Sequence, residues 1–315
     1  IGIGGSSLGP LFVSRALEDE QKKLNLYFID NTDPVGISKV LNTVKPELSH
    51  TLCIVISKSG GTIETRNGMI YAQQFYKENL LDFSKYAIAV TQEGSKLYNT
   101  AKAERWMKVF PMWDFVGGRT SVLSAVGLLP LALMGIDIDG LLHGAAEMDK
   151  LTRGQDFITN PAALLAAAWR TKLKKMPGAS MVMLPYRDSL ELFSKYLQQL
   201  IMESLGKELD LNGHTVHAGL TVFGNKGSSD QHSYVQQLLD GPDNFFATFV
   251  EVLSNRNTDS VLVGEDSTCG DYISAFYMGT RRAVTAKGRE SITITVKDVS
   301  AFSIGALIAL FERAV

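Results

Sequence analysis

The chain has 315 residues, 45% of them hydrophobic and 20% charged, a composition that is typical of soluble globular proteins and excludes a disordered, collagen-like or membrane-spanning chain. A formal net charge of −2 excludes a strongly basic surface for nucleic acid or an anionic membrane, so an anionic ligand must be held by local groups. The length predicts two domains.

In the first half, short β-rich apolar runs alternate with segments of helical period. Strands are predicted at residues 26–30, 51–57, 87–91 and 106–109, and helices at residues 34–44, 62–77, 121–134 and 139–151. This alternation is typical of a parallel sheet whose strands are joined by crossover helices.

The second half repeats the alternation after a linker at residues 154–157. Asn160 and Pro161 begin a helix, since asparagine caps helices and proline suits the first helical position. Strands follow at residues 180–184, 220–223, 245–253 and 291–296, with helices at residues 189–205, 230–239 and 301–313. The sequence therefore predicts an α/β fold with two parallel-sheet domains, residues 1–153 and residues 154–315.

Two cysteines, Cys53 and Cys269, lie outside any metal-ligand or redox spacing. Cys53 is expected to be a small buried hydrophobe, and such sparing use of cysteine suits the reducing cytoplasm. No apolar run is long enough to span a bilayer, and no signal peptide is visible. The opening residues, from Ile1 to Gly4, look like the end of a strand whose beginning is missing, which suggests a fragment of a longer protein.

A glycine-rich segment at residues 2–10, here called the first glycine loop, follows this strand end. It reads Gly2-Ile3-Gly4-Gly5-Ser6-Ser7-Leu8-Gly9-Pro10. Backbone amides and hydroxyls gathered before a helix are suited to binding phosphate. A dinucleotide fingerprint would need a glycine in place of Ser7, and a Walker A loop would need a lysine in place of Pro10, so the sequence predicts neither nucleotide site.

The serine loop, residues 57–65, occupies another strand-to-helix junction. It reads Ser57-Lys58-Ser59-Gly60-Gly61-Thr62-Ile63-Glu64-Thr65. Ser59 or Thr62 could cap the following helix, and their hydroxyls could equally hold a phosphate. Two such loops after two strands of one sheet favour a site for a terminal phosphate monoester.

Gln199 and Glu203 lie four residues apart in the helix predicted at residues 189–205, so they would share one face. Lys207 lies four residues beyond Glu203, and an exposed Glu–Lys pair is therefore one interpretation of this carboxylate. The other interpretation is a general base for a carbon acid, placed beside the neutral amide of Gln199.

The arginine loop, residues 115–121, places Arg119 directly after Gly117 and Gly118. The glycines allow the backbone to approach a ligand closely, and the guanidinium would supply a fixed positive charge to a developing enediolate. A solvated arginine in a turn is the alternative.

His232 lies near the start of the helix predicted at residues 230–239, where an imidazole could move a proton on a ligand or could simply face solvent. The pair His214 and His217 has no nearby cysteine or helical His–Glu partner that would complete a metal site. The sequence therefore predicts neither a metal nor a cofactor.

Taken together in chain order, these segments resemble the phosphoglucose isomerase family. The matching motifs are Gly2-Ile3-Gly4-Gly5-Ser6-Ser7-Leu8-Gly9-Pro10, Ser57-Lys58-Ser59-Gly60-Gly61-Thr62, Gly117-Gly118-Arg119-Thr120-Ser121, Gln199-x-x-Met202-Glu203-Ser204-x-Gly206-Lys207 and Gly227-x-x-Asp230-Gln231-His232. Each motif is a weak signal alone, whereas the set extends across most of the chain and is specific.

The resemblance implies two flavodoxin-like, three-layer α/β/α sugar-isomerase domains and a homodimer with shared active sites. It also implies reversible conversion of glucose 6-phosphate and fructose 6-phosphate through a cis-enediolate, in glycolysis and gluconeogenesis. The residues that match substrate-binding positions are Gly5, Ser6, Ser57, Lys58 through its backbone, Ser59, Thr62, Gly118 and Gln199. Those that match catalytic positions are Glu203 as the base between C2 and C1, Arg119 beside the enediolate, and His232, which opens the sugar ring from the partner subunit.

The chain departs from the family pattern in three places. The family begins with a long helical region and ends in a block of the type His-Gln-x-Gly-Val-Glu-x-Gly-Lys, and this chain contains neither, so an acid for ring opening is missing. Thr120 stands where many members have an aromatic residue. Two other functions stay open: a non-catalytic sugar-phosphate-binding module of a regulator, and an isomerase that also accepts mannose 6-phosphate. No nucleic-acid or membrane partner is expected.

Overall fold

The computed structural model describes residues 1–18, 23–254 and 261–315. Within these residues the chain divides into two compact units. The first contains residues 1–14 and 18–136, and the second contains residues 15–17 and 137–315. Each unit is built on its own parallel sheet, so the α/β architecture that the sequence predicts is confirmed.

A parallel sheet of three strands, in the order β1-β2-β3, organises the first unit. The elements of residues 1–136 are α1 (Leu8–Ala16), α2 (Pro34–Val44), β1 (Cys53–Ile56), α3 (Ile63–Glu78), β2 (Ala87–Thr91), α4 (Lys96–Ala103), β3 (Lys108–Pro111) and α5 (Ala125–Met134). Because the strands are parallel, the segments that follow them leave the same edge of the sheet. The serine loop follows β1 and the arginine loop comes soon after β3.

Aromatic side chains form part of the core of this unit. The ring of Tyr76 meets that of Phe83 edge to face, and Phe83 meets Trp106 in the same way, each pair with centroids 5.4 Å apart. The Tyr76 hydroxyl donates to the Thr51 carbonyl at 2.8 Å, so its polar atom is satisfied inside the core. The cluster also contains Val55 of β1, and it therefore fixes α3 to the sheet below the serine loop.

The second unit contains a four-stranded parallel sheet in the order β7-β4-β8-β9 and a separate antiparallel ribbon, β5-β6. Its elements are α6 (Ile138–Thr152), α7 (Pro161–Lys175), β4 (Ser180–Pro185), α8 (Phe193–Leu197), β5 (Lys207–Leu209), β6 (Thr215–Ala218), β7 (Thr221–Phe223), α9 (Val235–Asp240), β8 (Phe245–Val252), α10 (Cys269–Ala286), β9 (Ser291–Val296) and α11 (Ala301–Ala314). The central strands β4 and β8 are almost completely buried, which explains their unbroken apolar sequences.

Helix α6 packs against α11 at two glycines. A Cβ atom on Gly144 would lie 1.9 Å from the Phe302 carbonyl oxygen, and one on Gly305 would lie 1.9 Å from that of Leu141. The backbones of α6 and α11 therefore approach so closely that only glycine fits at these two positions. The sequence places α6 in a domain of residues 1–153, whereas in the structure this helix belongs to the compact unit of residues 137–315.

Some predicted elements match the structure and others do not. Helix α2 begins as predicted, because Asp33 accepts hydrogen bonds from the Val35 and Gly36 amides and Pro34 occupies the first position. The strand predicted at residues 26–30 is wrong: the Gly2 amide donates to the Ile29 carbonyl at 3.1 Å, but one such bond does not make a ladder. The strand predicted at residues 106–109 lies two residues later, at Lys108–Pro111.

The helix predicted at residues 189–205 is also wrong in form. A 3₁₀ turn (Asp188–Leu190) is followed by α8 and then by a π-helical segment, Gln198–Glu203. Three further features, α4, α10 and the β5-β6 ribbon, are not predicted from the sequence pattern. For α10 a signal was present, since Thr268 and Asp271 form a capping box at its start.

Among the described residues, no helix combines the length and the apolar character that crossing a membrane would require.

The close approach of α6 and α11 predicts an unequal response to two alanine substitutions. Gly305→Ala should lower the free energy of unfolding by about 1–3 kcal/mol, because the new methyl group meets a backbone carbonyl that cannot move aside. Gly279→Ala, in the open interior of α10, should raise it by roughly 0.5–1 kcal/mol. Urea unfolding of both variants measures the difference, and a Gly305→Ala variant as stable as the original chain would contradict the packing.

Candidate active site

The hydroxyls of the serine loop bond within the loop. The Ser57 hydroxyl oxygen accepts from the Gly60 amide at 3.2 Å, and its proton points to Thr62 Oγ1 at 3.4 Å. The Ser59 hydroxyl oxygen accepts from the Gly61 amide at 3.1 Å. Gly60 has a φ of +65°, and a Cβ atom there would lie 2.2 Å from the Leu97 amide nitrogen, so the turn requires glycine.

The loop ends at helix α3, whose first turn has no side-chain cap. Thr62 occupies the capping position, but its side chain accepts no hydrogen bond from the first-turn amides. By contrast, Asp33 caps α2 and Ser95 caps α4. Neither Ser59 nor Thr62 therefore caps α3, and the amides at its start and the positive end of its dipole are oriented toward the serine loop.

A cavity of about 210 Å³ lies beside the serine loop. It is lined by Val55, Ser57, Gly60, Thr62, Thr65, Arg66, Met69, Lys96, Leu97 and Thr100. Two of these side chains are cationic and none is acidic. Thr65 is only 4% exposed, so its side chain lies inside this part of the unit. Hydroxyls, cations and an uncapped helix start favour an anion at this place.

The first glycine loop contacts the arginine loop through backbone atoms. Gly5 lies in a 3₁₀ turn, Gly4–Ser6, that precedes α1. A Cβ atom on Gly5 would lie 1.9 Å from the Gly118 carbonyl oxygen, so the two backbones touch. The fully buried Ser121 hydroxyl contacts both carbonyl oxygens, that of Gly118 at 2.6 Å and that of Gly5 at 3.4 Å. Arg119 is half-buried in the turn Gly118–Thr120.

The structure thus brings together, within the first unit, the three loops that the sequence singles out. Gly5 touches Gly118, and Ser57, Ser59 and Thr62 share one turn. Ser6 ends the turn that contains Gly5, and it is half-buried.

In the second unit, Gln199 and Glu203 lie in the π-helical segment Gln198–Glu203. The wider π-turn closes i→i+5 hydrogen bonds, and such turns occur frequently at functional sites. Gln199 is half-buried and Glu203 is exposed. Lys207 lies after this helix has ended, and its ammonium donates to the carbonyl oxygens of Glu203, at 3.2 Å, and Ser204, at 2.7 Å. The lysine thus stabilises the helix terminus instead of lying one α-turn beyond Glu203.

His232 lies in a 3₁₀ turn, Ser229–His232, before α9, and not within a helix over residues 230–239 as the sequence predicts. The side chain of Asp230 explains the difference. It is 3% exposed, and its Oδ2 accepts from the Asn225 amide at 2.9 Å and from the Tyr234 hydroxyl at 2.5 Å. This carboxylate bonds across the turn and leaves His232 exposed between Asp230 and Tyr234.

Gln231 anchors the same turn to the rest of the unit. Its side-chain amide donates to the Tyr186 hydroxyl and to the Phe276 carbonyl, both at 3.2 Å, and to the Thr280 hydroxyl. Tyr186 follows β4, and Phe276 and Thr280 lie on α10. The position of His232 is therefore fixed by two neighbouring side chains that bond in different directions.

A half-buried acid, Glu312, contacts the helix that leads into the π-helical segment. The Tyr196 hydroxyl, on α8, donates to Glu312 Oε1 on α11 at 3.4 Å. Phe193 stacks on Tyr196 and meets Phe311 edge to face, which encloses the pair in aromatic side chains. Burial raises the pKa of the Glu312 carboxyl to about 7, although the hydrogen bond from Tyr196 acts in the opposite direction.

In the described parts of the chain, no three histidine, cysteine, aspartate or glutamate side chains converge as metal ligands would. His214, considered as a ligand in the sequence, instead contacts Asp210 through its ring nitrogen at 3.3 Å.

Sequence reasoning missed several residues around these loops. The lysine side chain in the serine loop reaches the arginine loop, Arg66 and Lys96 line the cavity, and Asp230 and Tyr234 enclose His232. Asp230 belongs to the motif that also contains Gln231 and His232. Its partner Tyr234 lies four residues further on, inside the helix that the sequence predicts at residues 230–239, so the sequence does not indicate a bond across a turn.

A family model of phosphoglucose isomerase matches residues 1–277. The chain belongs to the phosphoglucose isomerase family. A glucose-6-phosphate isomerase from Desulfitobacterium hafniense (strain Y51) is 61% identical over 315 residues, which cover 100% of this chain and 59% of that protein. The chain thus spans less than two thirds of the length of this relative.

Two solved structures are similar to the chain over 99% of its length. A glucose-6-phosphate isomerase from Chlamydia trachomatis has a TM-score of 0.89 at 28% identity, with 63% of that chain covered. A hypothetical protein from Thermus thermophilus has a TM-score of 0.90 at 27% identity, with 75% of that chain covered. The family resemblance and the predicted sugar-isomerase fold are confirmed.

The raised pKa of Glu312 predicts how pH affects stability. The pKa of this carboxyl is about 7 in the folded chain, above the value of about 4.3 expected in an unfolded chain. Its contribution to stability is fully present below pH 4, declines as pH rises between the two values and is lost above about pH 7. Glu312→Gln should therefore raise the melting temperature at pH 8 relative to the original chain, an effect on the order of 2 kcal/mol, and should change it little at pH 4.5.

Thermal unfolding at the two pH values provides the measurement. Glu208→Gln is the matched control, because it makes the same chemical change at a side chain that is exposed on β5. If Glu312→Gln changes the melting temperature by the same amount at both pH values, Glu312 is not the group responsible.

Proposed function

We propose that the protein containing this chain is a glucose-6-phosphate isomerase, which interconverts glucose 6-phosphate and fructose 6-phosphate in glycolysis and gluconeogenesis. Family membership supports the reaction class. The single structural observation that carries the proposal is the uncapped start of α3 beside the serine loop, because it is a binding place for the phosphate that both sugars share.

The first unit holds the phosphate and the negative charge that develops on the sugar. Ser57, Ser59 and Thr62 donate to the phosphate oxygens, together with the backbone amide of Lys58. Gly5 and Ser6 approach from the first glycine loop. Such contacts use binding energy from the non-reacting end of the substrate to hold C1 and C2 in position.

The second unit supplies the groups that move protons. The Glu203 carboxylate removes the proton from C2 of the open-chain aldose, and the bonding electrons form the C1–C2 double bond of a cis-enediolate whose charge lies on O1. The guanidinium of Arg119 and the amide of Gln199 stabilise and orient this intermediate. Glu203 then returns the proton to C1 while the proton of the O2 hydroxyl passes to O1, which leaves a carbonyl at C2 and a hydroxyl at C1.

His232 opens the sugar ring before the proton transfer. An imidazole nitrogen donates a proton to the sugar ring oxygen as the bond between that oxygen and C1 breaks, and the O1 hydroxyl releases its proton to solvent, which leaves an aldehyde at C1. The exposed position of His232 in the Asp230–Tyr234 turn allows this contact. We further propose a cytoplasmic homodimer in which this histidine acts in the active site of the partner subunit.

The proposal predicts that Glu203→Gln abolishes isomerisation and spares phosphate binding. A general base contributes 10²–10⁴-fold to the rate, so kcat should fall by about 10³-fold. The dissociation constant of inorganic phosphate should change less than about twofold, because the serine loop is untouched. Glu208→Gln should keep the original kcat, since Glu208 lies on the exposed ribbon beyond the helix.

The assay follows conversion of fructose 6-phosphate to glucose 6-phosphate and the exchange of the C2 proton of the sugar with deuterated solvent. Both are measured in this chain and in a form extended to the length of its relatives. A Glu203→Gln variant that keeps most of its rate in the extended form would show that another residue is the base. Loss of phosphate binding in that variant would show that Glu203 serves binding and not proton transfer.

A further inference from the structure

The side chain of Lys58 joins the serine loop to the segment that carries Arg119. Its ammonium donates to the carbonyl oxygen of Asp114 at 2.5 Å and to that of Val116 at 3.0 Å. These carbonyls lie 56 and 58 residues further along the chain. Val116 directly precedes Gly117 and Gly118, and Asp114 lies two residues before Val116, so both bonds are made just before the turn that contains Arg119.

The backbone of Lys58 is fixed independently of its side chain. Its carbonyl oxygen accepts from the Gln92 amide at 3.1 Å and from the Thr91 hydroxyl at 3.2 Å. Thr91 is fully buried at the end of β2, and its hydroxyl also donates to the Ser57 carbonyl at 2.6 Å. The backbone of Lys58 is therefore held in place by β2. The two bonds from its ammonium in turn hold the backbone of Asp114 and Val116.

The arginine loop is held on its other side by a different contact. The backbone of Gly5 touches that of Gly118, and the buried Ser121 hydroxyl bonds to the Gly118 carbonyl at 2.6 Å. Asp114 itself is exposed, and no strand or helix includes residues 112–117. Without Lys58, the chain between β3 and Gly118 would lose its two bonds to the serine loop.

A lysine in a phosphate-binding loop commonly serves as a point charge on the phosphate. An ammonium has three donors and no acceptor, and here two of the donors are directed to carbonyl oxygens of another loop. A charged donor makes a stronger bond to a carbonyl than a neutral donor does, so these two bonds hold the carbonyls more firmly than bonds from a neutral side chain would.

We infer that the Lys58 side chain is a positioning residue that holds the arginine loop in place for catalysis, and that it does not bind the substrate phosphate. The inference rests on the proposed function, in which the backbone of Lys58 contacts phosphate and Arg119 stabilises the enediolate. Lys58 then links phosphate binding to the position of Arg119, because the loop that holds the phosphate also holds the arginine loop.

Lys58→Met tests the inference, since methionine keeps the unbranched apolar stem and removes the charge. In the form extended to the length of its relatives, kcat should fall by about tenfold or more, because a small displacement of a catalytic group is costly to the rate. The dissociation constant of inorganic phosphate should change less than about twofold. Amide hydrogen exchange at residues 114–121 should become faster, in this chain as in the extended form.

Two further variants complete the design. Lys58→Arg keeps a cation with several donors and should restore most of kcat and the slow exchange at residues 114–121. Lys77→Met, at an exposed position on α3, should match the unsubstituted protein in all three measurements.

The inference is overturned if Lys58→Met weakens phosphate binding while kcat and exchange at residues 114–121 stay unchanged, since the ammonium would then bind the phosphate. It is also overturned if none of the three measurements changes. Failure of the proposed function is recognised separately, as absence of isomerisation in the unsubstituted extended protein. In that case phosphate affinity and hydrogen exchange still decide whether Lys58 orders the arginine loop.

Discussion

The backbone of Gly5 packs directly on the backbone of Gly118, and the arrangement of the loops in the first unit depends on this contact. A Cβ atom at position 5 would overlap the Gly118 carbonyl oxygen, so no other residue fits without moving one of the two loops. Ser121, which is fully buried, contacts both carbonyl oxygens and fixes their separation. The first glycine loop and the arginine loop are therefore placed against each other by main-chain contact.

The two units carry different parts of the proposed chemistry. The first presents backbone amides, hydroxyls and cations around the start of α3, which are groups that bind an anion. The second presents a carboxylate on a π-turn and an imidazole in a turn that a buried aspartate stabilises. Tight contacts fix the loops of the first unit, whereas Glu203 and His232 are exposed in the second. This difference is consistent with rigid binding of the phosphate and with access of the acid–base groups to a sugar.

Much of the fold follows from local sequence signals. Asp33 and Pro34 mark the start of α2, and the apolar run of β2 matches its burial between two neighbouring strands. The family could be identified because its motifs are short, ordered and rich in glycine. Local signals fail where the determining contact is distant in sequence: Lys58 bonds to carbonyls 56 and 58 residues away, and nothing in its neighbours indicates this. They also fail for the π-turn at Glu203, since apolar periodicity does not distinguish it from an α-helix.

The start of α3 shows that prediction from local sequence can also fail when the determining contacts are close in sequence. Ser59 and Thr62 are good capping residues by type, and only the structure shows that the Ser59 oxygen accepts from Gly61 and that Thr62 faces Ser57. Because α3 then begins without a side-chain cap, its first-turn amides are the central element of the proposed phosphate site.

Titration of the ¹⁵N-labelled 315-residue chain with inorganic phosphate, followed by amide chemical shifts, tests this claim most directly. If the start of α3 binds the phosphate, the largest shifts occur at residues 58–65, with smaller ones at residues 4–7. Shifts that occur elsewhere, or that leave the amides at the start of α3 unchanged, would contradict it.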